Sequence, residues 1–145
     1  MPNLDYALLS PSLRPLLDKF YRAHGSSMRA NGEGQLWVAR DGGIIAGLSL
    51  TAVADGFWLT GLFVDPQRRG QGIAGQLVAH ALATLTGRTW LFCHPDLRDF
   101  YGKLGFSPTR QLPQALADRL ARYSRSKPLI ALGIEPSVSS TAENV

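Results

Sequence analysis

The chain has 145 residues, 45% of them hydrophobic and 9% aromatic, with a formal net charge of +4, which fits one compact domain with an ordinary core, expected over residues 1–135. A single cysteine, Cys93, excludes an intrachain disulfide, and no apolar run is long enough for a membrane-spanning helix. Residues 1–5 carry no basic patch ahead of an apolar stretch, so no secretory signal, no membrane association and a reducing, cytoplasmic setting are expected.

Taken in chain order, Leu13, Leu16, Leu17, Phe20 and Tyr21 form a helical stripe after Ser10-Pro11-Ser12. Gly25-Ser26-Ser27 and Asn31-Gly32-Glu33-Gly34 then punctuate the chain. Residues 36–39 read as a strand, Asp41-Gly42-Gly43 as a hairpin turn, and residues 44–53 as the next strand. In that strand Leu48, Leu50 and Ala52 are expected on one face and Ser49 and Thr51 on the other. Asp55-Gly56 turns the chain again and residues 57–64 return, making three antiparallel strands.

Asp65-Pro66 breaks the last of these, because proline lacks the N–H a ladder needs. Arg68, Arg69, Gly70, Gln71 and Gly72 come next, and a helical pattern starts at once with Ile73 and Ala74. Ile73, Leu77, Ala81 and Leu85 recur at helical spacing, with Gln76, His80 and Thr84 opposite, and Gly87 is the expected terminator. Glycines let backbone N–H groups approach a ligand, and a helix N-terminus leaves its first N–H groups unpaired and partly positive. Together these predict a site for a phosphate-bearing ligand.

Residues 89–93 read as a buried strand, so strand, helix and strand make a right-handed parallel crossover. His94-Pro95 stops it, and Asp96 is the expected cap of a helix holding Leu97, Phe100, Tyr101 and Leu104. Gly105-Phe106 opens another strand, Pro113 to Tyr123 a short amphipathic helix, and Leu129 to Ile134 a last strand. Residues 136–145 are polar and small, expected as a loose tail.

Gly70-Gln71-Gly72-Ile73-Ala74-Gly75 also satisfies G-x-G-x-x-G, the dinucleotide fingerprint. Its glycines start six residues beyond Val64, Trp90 stands near where an acidic ribose ligand belongs, and antiparallel strands come first. All three argue against a doubly wound sheet. The Walker phosphate-loop pattern is absent.

The stretch Gln67-Arg68-Arg69-Gly70-Gln71-Gly72 resembles the Q/R-x-x-G-x-G/A motif of the GNAT superfamily of N-acetyltransferases. The run from His94 to Phe106, ending Phe100-Tyr101-Gly102-Lys103-Leu104-Gly105-Phe106, resembles that family's second motif. The resemblance covers about 100 residues, from Leu36 to Leu132. It implies an α/β (α+β) fold: a mixed, mostly antiparallel central sheet of six to seven strands, a splayed parallel pair at the cofactor site, and helices on both faces.

The resemblance further implies acetyl-coenzyme A as donor and a primary amine of a small molecule or protein as acceptor, joined by direct attack in a ternary complex. Carried over by position, backbone groups of Leu62, Phe63 and Val64 would bond the pantetheine arm. Amides of Arg69, Gly70, Gln71, Gly72, Ile73 and Ala74 would grip the diphosphate, with Arg68 and Arg69 adding charge. Tyr101 takes the position of the general acid that protonates the departing thiolate. His94 stands where the family often has Asn; it can bond the pantetheine, act as a base, or satisfy backbone groups at a strand end.

The strand before the loop, Trp58-Leu59-Thr60-Gly61-Leu62, carries no carboxylate to take the amine's proton. His94, Glu33, Asp55, His24 and ordered water are the candidates. Burial in a strand explains Cys93 better than a covalent acetyl-enzyme does. The three histidines match no metal spacing, so no metal is expected. The segment 113–123 is a candidate wall or lid over the acceptor, and Trp37, Trp58 and Tyr21 are candidate pocket residues.

Eight basic residues lie between Arg88 and Lys127 against three acidic ones, Asp96, Asp99 and Asp118. With no basic tail and no aromatic-basic interleaving, nucleic acid is not the expected partner. Few acidic residues are present to attract a polycation, which disfavours polyamines or Lys-rich tails and permits amino acids or other anionic amines. A monomer or homodimer is expected. The alternatives are a coenzyme A-binding regulatory module without catalysis and, behind it, an acetyltransferase acting on RNA.

Overall fold

The structure, a computed structural model, describes residues 4–30 and 33–136. The expected tail therefore lies outside the described residues except for Pro136, as do Asn31 and Gly32 of the punctuated stretch and the first three residues. Among the described residues no helix is long and apolar enough to cross a membrane.

Seven strands form one sheet in the order β1-β2-β3-β4-β5-β7-β6. They are β1 (Asp5–Leu9), β2 (Gln35–Arg40), β3 (Ile44–Val53), β4 (Gly56–Val64), β5 (Thr89–Cys93), β6 (Ser107–Pro108) and β7 (Ile130–Ile134). Four α-helices accompany them: α1 (Arg14–Ala23), α2 (Ile73–Leu82), α3 (Arg98–Lys103) and α4 (Gln114–Tyr123). The β1–β2, β2–β3, β5–β7 and β6–β7 pairs are antiparallel and β4–β5 is parallel, so the expected mixed, mostly antiparallel sheet is observed. The first strand was not expected: Asp5–Leu9 buries only Leu9 fully and lacks a clean period-two apolar pattern.

The chain divides into two compact units, Met1–Thr51 with Leu59–Thr84 and Ala52–Trp58 with Leu85–Val145. In the first, Leu9, Leu17, Phe20, Tyr21, Ala30, Leu36 and Val38 form a core, with Ile44 and Phe63 packed against it. A Cβ on Gly47 would fall 2.5 Å from Leu17 Cδ1, so the Leu17 side chain of α1 packs into the space a side chain on β3 would take. Ile45 to Leu50 are all buried, Ser49 included, while Ala52 is exposed. The regular register keeps the expected alternation of faces from Ala46 to Leu50, but the face that carries Ser49 is buried as well. This stretch is covered on both sides, and a strand so covered has no solvent face to mark.

The apolar stripe of α2 is as expected, with Ile73, Leu77, Val78 and Ala81 buried and Gln76 and His80 exposed. The helix ends at Leu82, however, not at Gly87. In the second unit a Cβ on Gly87 would fall 2.3 Å from the Asp55 carbonyl oxygen, and one on Gly56 would strike Arg88 O at 2.4 Å and the Trp90 ring at 2.5 Å. Gly87 is thus a close-approach glycine beside the Asp55-Gly56 turn, where Phe57 N–H donates to Arg88 O at 2.8 Å.

In this unit β7 lies between β5 and β6, pairing Thr89 with Ile134 and Cys93 with Ile130 on one side and Ser107 with Gly133 on the other. The strand expected after Gly105-Phe106 is only two residues long. Pro113 is the N-cap of α4 rather than its first residue, and Leu116 is the helix's fully buried anchor.

Candidate functional site

Within the first unit the structure brings together Leu62, Phe63 and Val64 at the end of β4 and the loop that opens α2. Asp65 starts the loop. Its carboxylate accepts the Gln67 N–H at 2.9 Å, and its own N–H donates to Ile45 O at 2.8 Å. Pro66 then begins a 3-10 turn, Pro66–Arg68, so the dipeptide that ends the strand also caps the next element.

Gly70 and Gly72 both hold left-handed backbone, φ +79° and +78°, and a Cβ at either would meet nothing within 4 Å. Their conformation, not crowding, requires glycine. Left-handed residues in such a turn aim successive N–H groups into a common concavity that suits an anion. Gly72 is the N-cap of α2, its carbonyl already accepts Gln76 N–H at 3.1 Å, and the first turn holds no acidic residue. The N–H groups of Ile73, Ala74 and Gly75 precede the first intrahelical bond, so the positive end of the helix meets no negative side chain there.

The two arginines of the loop already have protein partners. Arg68 Nη2 donates to Asp41 Oδ2 at 2.9 Å. Arg69 Nε donates to Val64 O at 3.0 Å, and its guanidinium lies 5.0 Å from the centre of the Phe63 ring. Arg69 therefore engages a carbonyl in the very stretch of β4 expected to meet pantetheine.

Upstream, Gly61 interrupts β4 with φ +70°. Its carbonyl accepts the hydroxyl of Tyr21, which is fully buried in α1, at 2.6 Å. Burial raises the Tyr21 hydroxyl well above its ordinary range, and nearby Asp18 adds to this. Tyr21 is thus a core anchor for the kink ahead of Leu62 rather than a pocket residue.

The second unit holds Cys93, His94 and Tyr101. Tyr101 lies on α3 and is nearly buried, its ring edge-on to Phe100 and Phe106 at centroid distances of 5.0 and 6.0 Å. Its hydroxyl is pushed up to about 12, first by burial and then by the Cys93 thiol. Burial likewise raises Cys93, so the thiol stays protonated and is a poor nucleophile.

His94, not Asp96, caps the segment after β5. Its Nδ1 accepts the Asp96 N–H at 3.0 Å at the head of the 3-10 turn Pro95–Leu97, which leads directly into α3. With Nδ1 accepting, the neutral ring carries its proton on Nε2 and offers a donor there.

The carboxylate candidates are scattered. Asp55 is exposed at the turn before β4 and Glu33 is exposed at a loop. His24 Nε2 stands 3.9 Å from Asp65 Oδ2. Trp37 Nε1 donates to Gln35 Oε1 at 3.0 Å on the exposed side of β2. Among the described residues no three His, Cys, Asp or Glu gather as a metal-binding group. Sequence reasoning missed Tyr21 on Gly61 and Asp41 on Arg68, since neither separation along the chain carries a local mark. It could have found the Asp65 cap, because Asp-Pro ahead of a turn is a readable N-terminus.

A mostly antiparallel sheet with one parallel pair, and a double-glycine turn opening the helix between those two strands, defines an acetyltransferase of the GNAT kind. The chain belongs to that family: the profile described as "Acetyltransferase (GNAT) domain" matches residues 32–108. Solved structures share the fold. Escherichia coli ElaA aligns with TM-score 0.66 and 17% identity over 93% of this chain and 100% of its own. Rv2747 from Mycobacterium tuberculosis, in complex with CoA and NLQ, gives 0.68 and 15% over 90% and 98%. N-acetylglutamate synthase from Neisseria gonorrhoeae, complexed with coenzyme A and L-arginine, gives 0.67 and 16%, over 90% of this chain but only 33% of the synthase chain. No curated protein matches the chain.

Proposed function

We propose that the protein transfers the acetyl group of acetyl-coenzyme A to a primary amine by direct attack in a ternary complex. The observation that carries this reading is the pair of left-handed glycines, Gly70 and Gly72, at a helix N-terminus free of acidic side chains, where the N–H groups of Ile73, Ala74 and Gly75 precede the first intrahelical bond. Such groups suit the diphosphate of the donor; each hydrogen bond to a charged oxygen contributes about 1.5–3 kcal/mol. Leu62, Phe63 and Val64 supply backbone partners for the pantetheine arm. The parallel ladder between β4 and β5 supports this, since its register consists of Phe57 with Thr89 and Trp58 with Trp90, both ahead of that stretch.

In the reaction the amine nitrogen attacks the thioester carbonyl carbon, a C–N bond forms and the C–S bond breaks. The electron pair leaves on sulfur, and the Tyr101 hydroxyl gives its proton there. A hydroxyl raised to about 12 remains protonated at neutral pH, as this role requires. The proton shed by the amine goes to water. His94 acts as a positioning residue: its Nδ1 fixes the turn that leads to α3 and Tyr101, and its Nε2–H is a donor for a carbonyl of the donor substrate.

The test is calorimetric titration with coenzyme A, followed by thiol release from acetyl-coenzyme A over a panel of amines. Saturable heat and amine-dependent thiol are the expected results. Heat without thiol for any amine favours a regulatory module that binds the cofactor, the reading to which the missing carboxylate on β4 points. No heat at all overturns the phosphate loop itself.

A further inference from the structure

Trp58 stands on β4 opposite Trp90 of β5, at the second of the two registered pairs. Its indole Nε1–H is closed off from solvent and has no hydrogen-bond partner among the described residues. Over the same ring lies the guanidinium of Arg119 from α4, 4.6 Å from the ring centre, and Phe92 packs on it with centroids 5.6 Å apart. All four residues belong to the second unit.

Arg119, like Arg69 over Phe63 and Arg122 over Tyr123, lies on an aromatic ring rather than on a carboxylate. Arg40 pairs with Asp5, Arg68 with Asp41 and Arg88 with Glu135. Among the described residues Arg119 has the indole face and no carboxylate. Its neighbour Asp118 is exposed and takes the Gln114 side-chain amide at 2.8 Å. An interior donor without an acceptor is held at a cost that an arriving acceptor removes. A half-buried guanidinium on a flexible stem can leave a ring face for a fork of oxygens, which it binds in two-point geometry.

Both groups only donate, and one is permanently charged. Their walls are aromatic. One cation and one neutral N–H balance the single charge and two oxygens of a carboxylate; a phosphate dianion needs more donors. A cationic chain is repelled by Arg119. We infer that Trp58 and Arg119 bind the carboxylate of the acceptor, so that the acceptor class is the amino acids and related amines that carry a carboxylate. The word "acceptor" rests on the acetyl-transfer reading; the carboxylate site itself does not.

The test reads the indole N–H resonances of the 15N-labelled full chain, with Trp58→Phe identifying the Trp58 signal while keeping an aromatic ring in place. Glycine, leucine, phenylalanine and glutamate are titrated, each beside its α-carboxamide, with and without coenzyme A. At least one acid should move the Trp58 signal to saturation at a concentration about tenfold below its amide, and Arg119→Gln should erase that advantage. The inference is overturned if no acid moves the signal, if acid and amide act at equal concentrations, or if Arg119→Gln keeps the preference. Thiol release over the same panel judges the reaction separately: saturation of the Trp58 signal without thiol retains the carboxylate site and sinks acetyl transfer.

Discussion

The hydroxyl of Tyr21 donates to the carbonyl of Gly61 across 40 residues of sequence, at 2.6 Å. It thereby holds β4 in a left-handed kink just ahead of the three residues assigned to pantetheine. A Cβ on Gly61 would fall 2.8 Å from that hydroxyl, on a backbone at φ +70°. Gly61→Ala therefore incurs both conformational strain and displacement of an anchored, fully buried tyrosine. Urea unfolding should show a loss of about 2–3 kcal/mol, and coenzyme A affinity should fall with it. Tyr21→Phe removes the hydrogen bond without the clash and should cost about 1–2 kcal/mol. A Gly61→Ala protein as stable as the parent shows that the kink is not held in place.

His94 is expected to matter through its cap. Replacing an N-cap acceptor by alanine typically costs about 1 kcal/mol, whereas asparagine keeps a side-chain oxygen for the same N–H. His94→Ala should lower stability by about that amount and reduce turnover by loosening the turn ahead of Tyr101, and His94→Asn should restore most of both. Equal loss of turnover in both variants, with stability recovered only by asparagine, assigns the ring a proton-transfer role beyond positioning.

The backbone of the loop between β4 and α2 was legible because it is local. Strand end, Asp-Pro break, two arginines, two glycines and helix start all lie within a dozen residues, and each has its own backbone consequence. Most of what failed was non-local. Gly87 looks like a helix terminator because Leu85 continues the apolar stripe, yet its glycine answers to the Asp55 carbonyl 2.3 Å from its missing Cβ. One miss was local: Asp96 looks like a cap, but His94 fills that role from two residues upstream, because an imidazole nitrogen accepts the N–H as a carboxylate would. The insertion of β7 between β5 and β6 leaves no mark in either strand's pattern. Nor does the orphan N–H of Trp58, whose burial depends on what surrounds it.

Gly72→Asp separates binding from folding. Asp tolerates left-handed backbone better than most residues and is a favoured N-cap, and the position is open, with nothing within 4 Å of a new Cβ. The fold should keep its stability within about 1 kcal/mol. The new carboxylate, however, sits at the helix N-terminus proposed to hold the diphosphate, and like charges within a few ångströms repel strongly in a shielded turn. Calorimetry should detect no coenzyme A binding. Undiminished affinity in a folded Gly72→Asp protein removes the loop from the cofactor site.

Tyr101 links burial, pH and turnover in one residue. The folded hydroxyl titrates at about 12 against an ordinary value of 10.0, so the raised group favours the fold most fully below pH 10. Between pH 10 and 12 the unfolded chain has released this proton and the folded chain has not. Stability should then fall by about 1.4 kcal/mol per pH unit for this one group. Tyr21, raised in the same direction, adds its own loss over the same window. Tyr101→Phe should flatten the alkaline decline of unfolding free energy by the Tyr101 share alone. At pH 8 it should lower kcat by about 100-fold with little change in KM for acetyl-coenzyme A, since a general acid acts only in the transition state. The parent's turnover should show no loss of this acid up to pH 10. A Tyr101→Phe protein that raises KM and keeps kcat makes the tyrosine a packing residue and moves the proton donor elsewhere.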